Sequence, residues 1–164
     1  MALHSLQLIS VVMMITGALL DWSDAAVING SEGPTKVKKG SFMETSFEVD
    51  SSGTLVASTK TWTKQKMSGF TGGVMIVLVD GNRTEVWRSE PHTFGVNGKW
   101  IPGAPSSRTE QWTETVPTNV LPEVKGYAIV HTHSPTSRFW NGLVKNAPTI
   151  VQGIKMIVGA VVGK

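Results

Sequence analysis

The sequence predicts an all-β fold, an antiparallel β-sandwich, with an apolar helical segment ahead of it and an apolar segment behind it. Three observations carry this. From Gly40 onward the hydrophobic pattern repeats every two residues, the period of a strand with one buried face. Gly, Pro, Asn, Asp and Ser clusters break the chain at short intervals, as hairpin turns do. Hydrophobic residues reach 40% while charged ones are only 16%, which suits an all-β domain with a real core better than a helical bundle or a disordered chain. The 164 residues are about one domain's worth.

Residues 1–25 contain no Lys or Arg, and the first charge is Asp21. The polar residues His4, Ser5, Gln7, Ser10 and Thr16 fall on all sides of a helical projection, so the segment is apolar all round. Leu6 to Leu20 suits the h-region of a signal peptide, with Ser23-Asp24-Ala25 as a small-x-small cleavage site. The alternatives are a retained apolar helix or anchor. Asn29-Gly30-Ser31 and Asn82-Arg83-Thr84 match the N-glycosylation pattern and would go with secretion.

The sandwich is expected over residues 26–146. "SFMETSFEVD" sets Phe42, Glu44, Ser46 and Glu48 on one face and Met43, Thr45, Phe47 and Val49 on the other. "SSG" turns the chain, and "TLVASTKTWTK" returns as a strand rich in β-branched residues. Val74 to Val79 is unbroken apolar sequence, expected of a strand covered on both faces. Asp80-Gly81-Asn82 is its turn, with Gly81 expected to take positive φ, and Thr84 to Arg88 is the partner strand. Further strands are expected around "HTFGVNGKW", "RTEQWTETV" and "GYAIVHTH".

The chemistry is bounded mainly by absences. There is no cysteine, so thiol nucleophiles, disulfides and thiolate metal sites are excluded. No G-x-S-x-G elbow, P-loop or G-x-G-x-x-G cradle occurs. The net charge is +3; beyond residue 25 fifteen bases face ten acids, which favours an anionic partner weakly. The single dense basic run, "KVKK" at 36–39, is too short for a nucleic-acid interface.

Two constellations remain as candidate sites. His131 and His133 lie two apart on an expected strand, a spacing that puts both rings on one face, and His92 would be the third metal ligand, with Glu90, Glu110 or Glu114 as carboxylate options. The competing view is that both rings sit at a strand exit. Trp100 stands in a loop of Gly and Pro with Arg108 and Gln111 close behind; an indole beside planar polar groups is what a sugar-binding site requires. The competing view is a tryptophan tucked under its own turn.

Residues 147–164 form the apolar C-terminal segment. On a helical projection Ile150, Ile154, Ile157, Val158 and Val161 share one arc, and Lys155 lies off it. That fits an amphipathic helix in a membrane interface, although the Val and Ile content also suits a last strand. "SRFWNGLVK" just before it extends the apolar and basic character.

Together these features point to a secreted, extracellular, non-enzymatic binding module acting at a glycan or lipid surface, with a membrane-active form in which the tail inserts. One alternative is an enzyme using a divalent metal centred on His131 and His133. Another is a structural subunit of a self-assembling particle or filament. No other cofactor is implied, nucleic acid is not an expected partner, and hydrophobic ends suit a homo-oligomer.

Overall fold

The computed structural model describes residues 28–100, 102, 106–133, 135–145 and 155–156. The expected N-terminal helix or signal peptide, and Ile150, Ile154, Ile157, Val158 and Val161, lie outside the described residues.

Two antiparallel sheets make the fold. The first runs in the order β1 (Ile28–Lys38), β2 (Ser41–Val49), β3 (Thr54–Thr63), β7 (Ser107–Thr115). In the second, β4 (Phe70–Val79) is central: its first half pairs with β6 (His92–Val96), its second half with β5 (Glu85–Arg88), and its other edge with β8 (Gly126–Thr132). Next to β8 lies β9 (Lys155–Met156), which pairs Lys155 with Tyr127. At these two positions the backbone is a strand and not the amphipathic helix, so Lys155 belongs to the sheet.

The period-two pattern became the pleat. Met43, Phe47, Val49, Leu55, Ala57 and Trp112 from the first sheet meet Val74, Ile76 and Leu78 from the second in one buried cluster. The run Val74 to Val79 is buried on both faces, as its sequence requires. Its other side, Met75, Val77 and Val79, packs with Ala128 under Trp140. The cover there is α1 (Ser137–Lys145), which lays Phe139, Trp140 and Leu143 on the second sheet. Gly73 makes this approach close: a side chain there would collide with Pro135 and with Trp140 Cζ2, 2.7 Å from the place of its Cβ.

Two hairpins share one turn chemistry. Asp50 Oδ1 accepts hydrogen bonds from the backbone N–H groups of Ser52 and Thr54, and Asp80 Oδ1 accepts those of Asn82 and Thr84. The residue before each threonine has positive φ, Gly53 at 83° and Arg83 at 64°. The positive φ expected at Gly81 therefore falls on Arg83, because the carboxylate turn fixes the geometry two residues later than the dipeptide signal suggests.

Candidate functional site

One end of the molecule is built from three segments. The β1–β2 turn, the chain leaving β3 and the loop after β6 are tied together by backbone bonds: Lys64 N–H to Gly40 O (2.7 Å), Lys99 N–H to Gln65 O (2.9 Å) and Trp100 N–H to Lys66 O (2.8 Å). The Gln65 side chain donates to Lys39 O at 2.7 Å. These segments bring together Lys36, Lys38, Lys39, Lys60, Lys64, Lys66 and Lys99, seven of the chain's eleven lysines, and all are exposed. No Asp or Glu occurs in residues 35–43, 60–70 or 91–107. Among the described residues none of the seven forms an ion pair. The opposite end carries Asp50 and Asp80 in their turns, with Glu114 and Glu123 nearby, and there the acids are interspersed with Arg83 and Lys125.

Aromatic rings lie among these lysines. Phe42 and Trp62 are cross-strand partners stacked at 5.4 Å; Lys64 Nζ is 5.2 Å from the Phe42 ring and Lys60 Nζ 5.3 Å from the Trp62 ring. Lys66 Nζ sits 4.4 Å over Trp100. Such ammonium–ring contacts favour a fixed cation without neutralising it. Trp100 is 63% exposed and Met67, on the neighbouring turn, 81%. Trp100 is therefore an exposed loop indole and not a plug.

Beside this end, the outer face of the first sheet holds a trough. Ser31, Ser46, Ser58 and Gln111 are successive cross-strand partners, and three short side chains in one row leave a floor below their neighbours. Two adjoining depressions share Ser46 and Ser58. One, about 440 Å³, is walled by Asn29, Glu48, Val56 and Gln111; the other, about 220 Å³, by Glu44, Lys60 and Thr109.

The trio Trp100, Arg108 and Gln111 is divided by the pleat. Residues three apart in a strand face opposite sides. Gln111 looks into the trough, whereas Arg108 has the parity of buried Trp112 and pairs with Glu110 at 3.2 Å.

The histidines are separated too. His92 and His131 both stand opposite Val74, on the strands flanking it, so two strand spacings of about 4.8 Å divide them. His131 Nε2 is 2.8 Å from Thr45 Oγ1, which meets Thr59 Oγ1 at 3.0 Å, and Trp112 Nε1–H donates to Thr59 Oγ1 at 3.1 Å. This is a buried polar chain joining the sheets. His131 Nδ1 is buried without a partner, so a second N–H there would have no acceptor. Burial pushes the His131 pKa down to about 4, against a smaller upward pull from Glu32. His92 Nε2 lies 2.7 Å from Glu114 Oε1 while its ring stacks on Trp112 at 4.0 Å. His133 is exposed in the bend that ends β8. The metal trio expected from the sequence is not assembled: Val74 stands between two of its members, each engaged by its own partner. No group of three ligating side chains occurs among the described residues.

The lysine end escaped the sequence reading because it is assembled from three separated segments. The available signal was the Lys60, Lys64, Lys66 spacing in a carboxylate-free stretch. Neither family models, curated proteins nor solved structures provide a match to this chain. What the structure defines is a class: an all-β, sandwich-like domain of two antiparallel sheets with a cationic, aromatic end.

Proposed function

We propose that this chain is a non-enzymatic binding module that docks through its lysine end on an anionic surface, lipid or glycan. One observation carries the reading: seven exposed lysines converge on the end that carries Trp100 and Met67, with Glu44 beside Lys60 at its margin. A one-signed patch raises the local concentration of anionic partners and speeds encounter. Near an anionic membrane each such lysine contributes about 1 kcal/mol, so a few of them already give measurable affinity. A secreted location, expected from the N-terminal segment, would put such surfaces within reach. No helix among the described residues is long and apolar enough to cross a membrane.

Retention on immobilised heparin tests the reading. The variant Lys38→Glu/Lys64→Glu/Lys99→Glu should elute at much lower salt than the wild type, and Lys125→Glu, at the other end, should shift elution far less. Equal elution of the triple variant and the wild type would sink it.

A second reading, a neutral glycan lying in the trough, is favoured by the continuity of the two depressions along Ser46 and Ser58 and by the amides of Asn29 and Gln111 on their wall. Filling the floor with Ser58→Trp should then abolish retention on a glycan array. Unchanged array binding would end this reading.

A further inference from the structure

We infer that the anionic surface is a lipid bilayer and that Met67 and Trp100 enter its headgroup region; the inference rests on the lysine-end reading above. Three large hydrophobic side chains are exposed among the described residues, Val56, Met67 and Trp100, and two of them lie on this end. Their adjacency is structural. Trp100 N–H donates to Lys66 O, the residue before Met67, and the place of a Gly98 Cβ is 2.7 Å from the Met67 carbonyl carbon. Two apolar side chains thus project from neighbouring turns.

The chemistry of these two residues selects among anionic partners. A sulfated or carboxylated glycan is read by ammonium, guanidinium and amide donors, and a thioether offers it none. Acyl chains and the glycerol region accept methionine and tryptophan, whose indole combines an apolar body with one N–H donor and settles at the interface. Lysine stems lie along apolar surface while their ammonium groups stay in water, at the depth of the phosphates. Lys66 shows this posture, with its ammonium over the Trp100 ring. Lys64 and Lys99 stand on the same two segments, and the β1–β2 turn with Lys38 and Lys39 is tied to them through Gly40 and Gln65, which supplies the matching charge.

The test uses the full chain throughout, so that its two ends are constant, and three proteins: wild type, Met67→Ser/Trp100→Ser, and the triple lysine variant. Binding is measured to phosphatidylcholine vesicles with and without phosphatidylserine, alongside heparin retention. Tryptophan quenching by brominated acyl chains is read for the wild type and for Trp100→Phe. The wild type should prefer phosphatidylserine vesicles. Met67→Ser/Trp100→Ser should bind them ~tenfold more weakly while keeping its heparin elution, because only buried apolar area is lost. Quenching should fall in Trp100→Phe. Vesicle binding unchanged in the Met67/Trp100 variant, or quenching unchanged in Trp100→Phe, would overturn insertion. Heparin binding without vesicle binding would overturn the bilayer in favour of an anionic glycan. A triple lysine variant that matches the wild type on both supports would overturn the lysine-end reading itself.

Discussion

Lys66 and Trp100 are joined twice, once by the Trp100 N–H bond to the Lys66 carbonyl at 2.8 Å and once by the Lys66 ammonium 4.4 Å over the indole. The backbone bond sets where the indole projects; the ammonium lies on its face. Because the ring is exposed, little of the fold depends on it. Trp100→Ala should lower stability by no more than about 1 kcal/mol, the range of an exposed cation–π contact. Thermal unfolding of the variant checks this, and a drop of several degrees beyond that would show that Trp100 supports the core.

His131 gives the fold a pH dependence with a defined sign. Its pKa is about 4 in the folded chain, lowered by burial from 6.5. Below pH 6.5 the unfolded chain takes up a proton that the folded chain refuses, so stability is full above that pH and falls as pH drops toward 4. The loss is on the order of 3 kcal/mol for a shift of this size. Urea unfolding from pH 7 to pH 4 should show it as an excess over His131→Gln, which cannot titrate. Parallel curves for the two proteins would refute it.

The helix cover on the second sheet has its own test. Trp140 is 8% exposed over Gly73, with Phe139 and Leu143 beside it. Trp140→Ala should cost about 3–5 kcal/mol, as removal of a buried tryptophan does. Gly73→Ala must push Trp140 and Pro135 aside, so quenching or shift of tryptophan fluorescence should accompany a stability loss. A Gly73→Ala protein with wild-type stability and fluorescence would contradict this packing.

The paired turns give an internal control. Arg83 holds φ 64° where the equivalent residue of the other hairpin is Gly53. Relief of left-handed strain exceeds glycine's entropic cost, so Arg83→Gly should stabilise by roughly 0.5–1 kcal/mol. Gly53→Ala should destabilise, since a methyl group there meets the Val116 carbonyl as well as the strain. Chemical denaturation of both variants measures the contrast.

The sequence made the strands legible because burial writes alternation directly: Met43, Thr45, Phe47 and Val49 face inward as their spacing requires. The two-sided burial of Val74 to Val79 was also legible. Sheet order and the partner of each histidine were not, since both depend on contacts between segments far apart in the chain. His92 looked like a metal ligand because nothing local names Glu114 or Trp112 as its neighbours. Of the two readings of Trp100, its exposure fits the loop aromatic and not the plug, but its neighbours are Lys66 and Met67 and not Arg108 and Gln111. Alternation alone separates the latter pair.

The most direct test of anionic docking is amide chemical-shift mapping of the full chain, titrated with nanodiscs of phosphatidylserine and phosphatidylcholine. Perturbations should concentrate at residues 36–42, 60–70 and 97–100, and fade as salt is raised. Perturbations confined to the Ser46–Ser58 trough or to the Asp50 and Asp80 turns, with residues 60–70 unmoved, would contradict the account.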